Sequence, residues 1–414
     1  MSEPSVSVVI VSRGRPDQLR VCLTGVGQLR YPNFEVIVVA DGEGLQAIEG
    51  VSERIKTHQF DTPNISQARN HGIARAAGGI VAFIDDDAVP EPTWLSYLVA
   101  PFADPAVAAV GGFVIGRNGI SYQWKARDIR PDGSSSPITV DETRPTVLQG
   151  TATRGVKTEG TNMAFRRDVL VGMGGFHPAF AFYLDESDVN LRLGETGGCT
   201  AIAPRAIVHH GFSASRYRQQ DRTPKDLTQI GASLVVFLRR HARNSDCAEV
   251  IAAERAQQRR RLLRQMAAGK LIPSDVGRLL KSFDKGCAEG ADRNLAPLTK
   301  LAFVETEFRP FAPIVQAKGH IIISAWRWHW RKCQIEAAQE VRDGSIVSLY
   351  LFSISARYHR VSFYPDGYWV QRGGLFGRSL RSDRLWRFYR FPRRVAREAA
   401  RVAAVRFGRQ ADGG

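Results

Sequence analysis

Short apolar, β-branched runs alternate with amphipathic stretches through the first ninety residues. Val6–Val11 is apolar apart from Ser7 and ends in the turn-like Ser12-Arg13-Gly14-Arg15-Pro16, which predicts a buried strand entering a loop. Residues 17–28 then place Leu19, Cys22, Leu23 and Val26 at helical spacing, and Tyr31-Pro32-Asn33 breaks that pattern. A second strand is predicted over Phe34–Ala40, closing at Asp41-Gly42. The unit repeats, with a helix predicted over Ile65–Ala77 and a strand over Gly79–Ile84 that ends in Asp85-Asp86-Asp87. Strands alternating with helices predict an α/β domain with a mostly parallel sheet, helices on both faces and ligands at the carboxyl ends of the strands. Both acidic groups stand at such ends.

Beyond residue 105 the pattern loosens. Val107–Ile115 reads as a strand and the polar Arg130–Pro145 as a mobile loop. Residues 226–243 and the Arg-rich Val250–Gly269 carry helical spacing. Strand-like runs return at Ile346–Ser353, His359–Tyr364 and Tyr368–Gln371, the last two joined by Pro365-Asp366-Gly367, which predicts a hairpin.

At 414 residues the chain exceeds what one core usually fills, so a catalytic domain with accessory regions is expected. No run of about 18 apolar residues exists to span a bilayer. The N-terminus lacks the features of a signal peptide, and a cytoplasmic location is expected. Five scattered cysteines without a CxxC pair argue against a disulfide framework or a zinc site. Charge changes the picture more. Residues 1–240 hold 25 Lys+Arg and 25 Asp+Glu, whereas residues 241–414 hold 32 and 16, so the net +16 belongs to the C-terminal part. Such a region suits nucleic acid, anionic lipid or an acidic substrate.

The acidic triplet carries the first chemical signal. Three adjacent carboxylates repel one another unless a cation neutralises them, and a hard divalent ion, Mg²⁺ or Mn²⁺, accepts their oxygens while leaving positions for a diphosphate. Strand alternation sends Asp85 and Asp87 to one side and Asp86 to the other, which points to Asp87 as a direct ligand with Asp85 nearer the sugar and ribose. A solvated acidic turn is the plainer alternative.

The segment Asn64–Gly78 together with the Asp-ending strand resembles the stretch before the DxD signature in family 2 glycosyltransferases, which have the GT-A fold, a Rossmann-like, mostly parallel sheet. The resemblance spans residues 5–215 and implies an inverting, metal-dependent transfer of a sugar from a nucleoside diphosphate sugar. Ser12, Arg13 and Asp41 then stand where that family holds the nucleotide, joined by Asp85 and Asp86. Asp41 can accept hydrogen bonds from a base or ribose, and Arg69 can offer a fork to the diphosphate. Glu159–Arg167 resembles the small-residue turn lining the acceptor side of the sugar, with Gly160, Thr161 and Asn162 as contacts. Asp185–Leu193 is similar to the family's EDxDLxxRL segment with the first two acids exchanged, so Glu186 fills the place of the catalytic Asp and Asp185 is the fallback base. In metal-using relatives a histidine joins the carboxylates; here His209 or His210 would do so, with His209 preferred.

Residues 1–240 are thus expected to form the GT-A domain, 241–295 a basic helical linker and 296–414 a smaller basic, aromatic-rich α+β region. In that last region Trp326–Lys332 and Trp386–Arg394 interleave rings with cations, and Arg393–Arg409 reads as an amphipathic basic helix. Peripheral contact with an anionic membrane is one expectation, an accessory core with a solvated basic face another, and nucleic acid is disfavoured because no nucleic-acid module accompanies the charge. The acceptor would be a saccharide or lipid-linked saccharide of envelope or surface polysaccharide. A nucleotidyltransferase and a noncatalytic basic membrane- or nucleic-acid-binding protein are the competing classes. The first would want a lysine and more glycines in the loop after the opening strand, the second a loss of the acids that remain.

Overall fold

The computed structural model describes residues 3–408, apart from 212, 243–245, 305 and 313–318. The chain opens with β1 (Val6–Ser12), α1 (Pro16–Val26), β2 (Phe34–Ala40), a short α2 (Gly42–Gln46), β3 (Lys56–Gln59), α3 (Ile65–Ala74) and β4 (Ile80–Asp85). It continues through β5 (Ala88–Pro90), α4 (Trp94–Val99), β6 (Val107–Ile115), β7 (Tyr122–Trp124), β8 (Arg127–Ile129), β9 (Thr146–Gln149), β10 (Gly155–Lys157), β11 (Met163–Arg166), α5 (Arg167–Gly172), α6 (Asp185–Glu195) and β12 (Cys199–His210).

Among the described residues ten of these strands form one sheet, in the order β3-β2-β1-β4-β11-β6-β12-β5, with β7 beside β6 and β9 beside β12. β3, β2, β1 and β4 run parallel, and β11 runs antiparallel between β4 and β6. The period-2 pattern explains how both faces are covered. Val6, Val8 and Ile10 enter one core with α1 and α4, while Val9 on the other face meets Ala68 and Ile73 of α3. This is the GT-A architecture, with Ser12, Asp41 and Asp85 all at or just beyond carboxyl ends of parallel strands. The polar stretch 130–145 folds back on β8, where Ser136 N–H donates to Asp128 Oδ1 at 2.6 Å.

Three helices follow: α7 (Thr228–His241), α8 (Cys247–Ala267) and α9 (Pro273–Asp292), sharing an apolar core of their own. α7 and α9 approach so closely that a Cβ on Gly286 would lie 1.9 Å from the Thr228 carbonyl oxygen. The chain then runs back along the catalytic domain as a strap. Leu301 N–H donates to Val171 O at 3.1 Å, Arg309 N–H to buried Glu35 at 3.0 Å, and Phe311 packs on Phe34.

The C-terminal unit consists of β13 (Gly319–Trp326), α10 (Trp330–Arg342), β14 (Ser345–Ser353), β15 (Arg360–Phe363), β16 (Tyr368–Gly374) and α11 (Phe391–Val402). β13, β14 and β16 are parallel, with α10 as crossover, and β15 closes the sheet as the antiparallel hairpin partner of β16, turning at Gly367 with φ +89°. The C-terminal helix is present. Arg394, Glu398, Ala399 and Val402 are buried, and Arg406 just beyond is 3% exposed with its Nε 2.9 Å from Glu91 of the catalytic domain. The inner face of α11 packs on the protein, and its outer face carries exposed Arg393; Arg409 lies outside the described residues.

Candidate active site

The end of β4 and the turn after it set three carboxylates in three environments. Asp85 is the last residue of β4 and keeps a side chain 33% exposed to the cavity in front of the sheet. Asp86 turns inward, accepting from Ser12 Oγ and Arg15 Nη1, each at 2.8 Å. Burial pushes its carboxyl up to about 7, and the Arg15 charge opposes that shift. Asp87 accepts from Ser213 N–H at 2.8 Å and lies 3.2 Å from His210 Nε2, with Arg15 at 3.5 Å and Arg218 at 3.8 Å. Burial alone would raise its carboxyl, but the bond to His210 and the flanking cations outweigh it and hold Asp87 well below the usual carboxylate range.

β12 pairs antiparallel with β5, setting His209 opposite Val89 and His210 opposite Ala88. Adjacent strand residues point to opposite faces. His210 therefore reaches the acidic cluster, and His209 turns to the far side, where its Nε2 is 2.8 Å from Glu91. The preference for His209 as ligand is corrected on this geometry. Asp85, Asp87 and His210 each offer one donor atom within 4.8 Å of the others. Two oxygens and one imidazole nitrogen with an open side fit a divalent cation, Mn²⁺ in particular tolerating the nitrogen.

The facing wall comes from α6 and β10. Tyr183 and Leu184 adopt left-handed φ of 75° and 64° immediately before α6, a costly conformation that aims the first helical residues into the cavity. Asp185 is bound head-on by Arg69, a nearly fully buried guanidinium. Arg69 also donates to Gly160 O at 3.1 Å and approaches Asp85 at 3.4 Å, and its guanidinium lies over the Phe176 ring. Arg69 thus braces the two acidic groups from the cavity wall, with its guanidinium bridging Asp185, Asp85 and Gly160. Glu186 is 3.1 Å from Lys157, which also reaches Glu159 at 3.2 Å. Burial acts to raise Glu186, yet Lys157 and Arg69 prevail and keep its carboxyl below the usual range. Its side chain is 13% exposed, against 4% for Asp185.

One cavity of about 800 Å³ is lined by Asp85, Asp86, Asp87 and His210 on one side and Asp185 and Glu186 on the other. Ser12, Arg13, Asp41, Arg69, Gly160 and Thr161 line it too. Asp41 accepts from Gly14 N–H at 2.8 Å and caps α2 through Gly44 N–H, so part of its hydrogen-bonding capacity shapes the loop itself. Asn162 does not reach the cavity. It is 0% exposed, accepts from Trp94 Nε1 at 2.8 Å and donates to Phe113 O and Ala206 O, tying α4 and two strands together. Sequence reasoning missed Arg15, Lys157, Tyr183 and Arg218, which also line the cavity.

A mostly parallel sheet with the candidate metal ligands Asp85, Asp87 and His210 opposed by a carboxylate pair across one cleft is the architecture of a GT-A glycosyltransferase domain. Residues 7–172 match the family model described as glycosyl transferase family 2. An O-antigen biosynthesis protein of Myxococcus xanthus is 30% identical over 238 residues, covering 51% of this chain and 18% of that protein. A glucosyl-dolichyl phosphate glucuronosyltransferase of Haloferax volcanii is 30% identical over 182 residues, covering 42% of this chain and 55% of that protein. The chain therefore spans less than two thirds of the length of these curated relatives. A solved mannosyltransferase from Pyrobaculum calidifontis, in complex with GDP-Man and Mn²⁺, superposes with a TM-score of 0.44 at 16% identity, covering 70% of this chain and 88% of that one.

Proposed function

We propose that the domain transfers a sugar, with inversion, from a nucleoside diphosphate sugar to a hydroxyl of a saccharide or lipid-linked saccharide. The observation that carries this reading is the shared cleft: Asp85, Asp87 and His210 face Asp185 and Glu186 across one cavity. Asp85, Asp87 and His210 would hold a Mg²⁺ or Mn²⁺ ion, which when bound supplies neutralising charge to the departing diphosphate. Arg13 and Asp41 take the nucleoside side, while Arg15 and Arg218 hold Asp87 in place and add positive charge near the diphosphate. Glu186, ionised beside Lys157, accepts the proton of the acceptor hydroxyl as that oxygen bonds to the anomeric carbon and the bond to the diphosphate oxygen breaks. Lys157 orients Glu186, and Arg69 with Asp185 braces the wall behind it.

The polysaccharide-synthesis setting of the Myxococcus relative supports an envelope or surface glycan as product, made on the cytoplasmic side of the membrane. The test is a panel of nucleoside diphosphate sugars, scored for released nucleoside diphosphate with and without Mn²⁺. Turnover of at least one donor that needs the ion and disappears in Glu186→Gln is expected. Metal-independent turnover, or full activity in the variant, would refute the assignment.

A further inference from the structure

A second cavity, of about 370 Å³, opens in the C-terminal unit between the segment 376–389 and α11. Five arginines line it, Arg378, Arg384, Arg387, Arg394 and Arg397, against one carboxylate, Asp383. Asp383 is bound by Arg397. Behind the wall, Glu398 is divided among Arg394, Arg397 and Arg401, at 3.2, 3.6 and 3.3 Å. Arg378, Arg384 and Arg387 have no carboxylate partner among the described residues. Guanidiniums gathered this way repel one another, and a fold retains such a cluster at least cost when an anion completes it.

Two details distinguish this cavity from a solvated basic face. Arg394 is 1% exposed, yet it lines the cavity and its Nε has no hydrogen-bond partner among the described residues. A buried guanidinium N–H left without an acceptor is costly. The second is preorganisation. Arg394 Nη2 donates to Ser379 Oγ at 2.7 Å, and Ser379 Oγ donates to Glu398 at 2.8 Å, fixing the fork. Arg387, Arg394 and Arg397 all pack around the Tyr389 ring, with centroid distances of 5.5, 4.8 and 5.6 Å, so three cations converge without a rearrangement.

We propose that this cavity is a binding site for a phosphate or diphosphate group, separate from the sugar-transfer site and independent of the transferase reading. Forked guanidiniums around a small cavity match the tetrahedral oxygens of phosphate. Its surroundings also admit a lipid source for that group. Leu385, Trp386 and Phe388, interleaved with Arg384 and Arg387, are 64%, 64% and 74% exposed, the mixture that rests at a membrane–water boundary.

The full chain is titrated calorimetrically with inorganic pyrophosphate in EDTA, which removes the divalent ion the acidic site would use. Wild type is expected to bind one equivalent saturably, and Arg384→Ala/Arg387→Ala, both partly outside the buried network and compatible with folding, is expected to bind at least about tenfold more weakly. Arg394→Lys, monitored for folding by circular dichroism, should lose affinity as well because a point charge cannot replace the fork. Cosedimentation with phosphatidylglycerol/phosphatidylcholine vesicles then separates the sources. Binding lost in the double variant and displaced by pyrophosphate identifies a lipid phosphate; vesicle binding indifferent to both, with the pyrophosphate difference retained, identifies a soluble one. Absence of saturable pyrophosphate binding, or equal affinity in wild type and double variant, overturns the proposal.

Discussion

The two cavities of this molecule are built from opposite charge logic. In the front cleft of the catalytic domain the carboxylates are set against nearby basic groups: Asp86 and Asp87 against Arg15, Asp85 and Asp185 against a shared Arg69, and Glu159 and Glu186 against a shared Lys157. In the C-terminal cavity five guanidiniums share a single lining carboxylate. The paired arrangement holds Asp87 and Glu186 ionised and oriented before any ligand arrives. An unbalanced one acquires its missing charge from outside. The contrast separates a place arranged for chemistry from one arranged for holding an anion, although both belong to one chain with a single net charge.

The sharpest way to break that contrast is to remove the metal side of the front cleft. Asp87→Ala should bring metal-dependent nucleoside diphosphate release down to background, since Asp87 touches His210, Arg15 and Ser213 as well as offering its own oxygen. Next in size is Glu186→Gln, which keeps the shape and hydrogen bonding of the side chain but removes the base. Turnover should fall by about 10²–10⁴-fold while calorimetric affinity for the nucleotide changes little. A fall in affinity equal to the fall in turnover would make Glu186 a binding residue.

The seam between the two regions carries a smaller effect. Arg406 is 3% exposed and Glu91 1% exposed, and leaving either alone in that seam should cost about 3–5 kcal/mol. Arg406→Ala is therefore expected to lower the melting temperature, by differential scanning calorimetry, far more than substitution of exposed Arg393. Burial acts to raise the Glu91 carboxyl, but Arg406 and His209 prevail and leave it at about 2, below its ordinary 4.5. A depressed carboxyl contributes its full stability above pH 4.5 and loses it as pH falls toward about 2. Wild type should thus lose stability across that window, and Arg406→Ala should show a weaker loss there.

Much of the catalytic half was legible because it rests on local pattern. Strands ending in Asp41 and Asp85, helical spacing in α1 and α3, and the hairpin turn at Gly367 follow from period and turn chemistry alone. What was not legible depends on partners far away in the chain. Asn162 sits in a polar turn that reads as a ligand contact until Trp94 and Ala206 claim its amide. Arg69 reads as a free fork until Asp185, 116 residues on, meets it. Lys157 lies in an irregular stretch with no periodicity to mark it, and only the packing of β10 on α6 brings it to Glu186. β13 carries a short β-branched run, Ile321-Ile322-Ile323, but its place beside β14 follows only once α10 is seen to cross between them.

The smallest and most discriminating effect concerns the two adjacent histidines, where alternation is certain but its phase depends on how β12 pairs with β5. His210→Asn should weaken apparent Mn²⁺ affinity at least about tenfold, read by electron paramagnetic resonance titration, because it removes one of three donors. His209→Asn should leave Mn²⁺ affinity within about threefold and instead lower the melting temperature, since it deprives buried Glu91 of a partner and the Trp369 ring of its neighbour 4.6 Å away. The pair works as an internal control: both residues share a strand, a side-chain type and nearly the same distance from Asp87 along the chain, and they differ only in the face they present. A reversal, with His209→Asn the variant that loses metal, would mean that β12 lies in the opposite phase and that the cation cluster draws on the seam with the C-terminal unit.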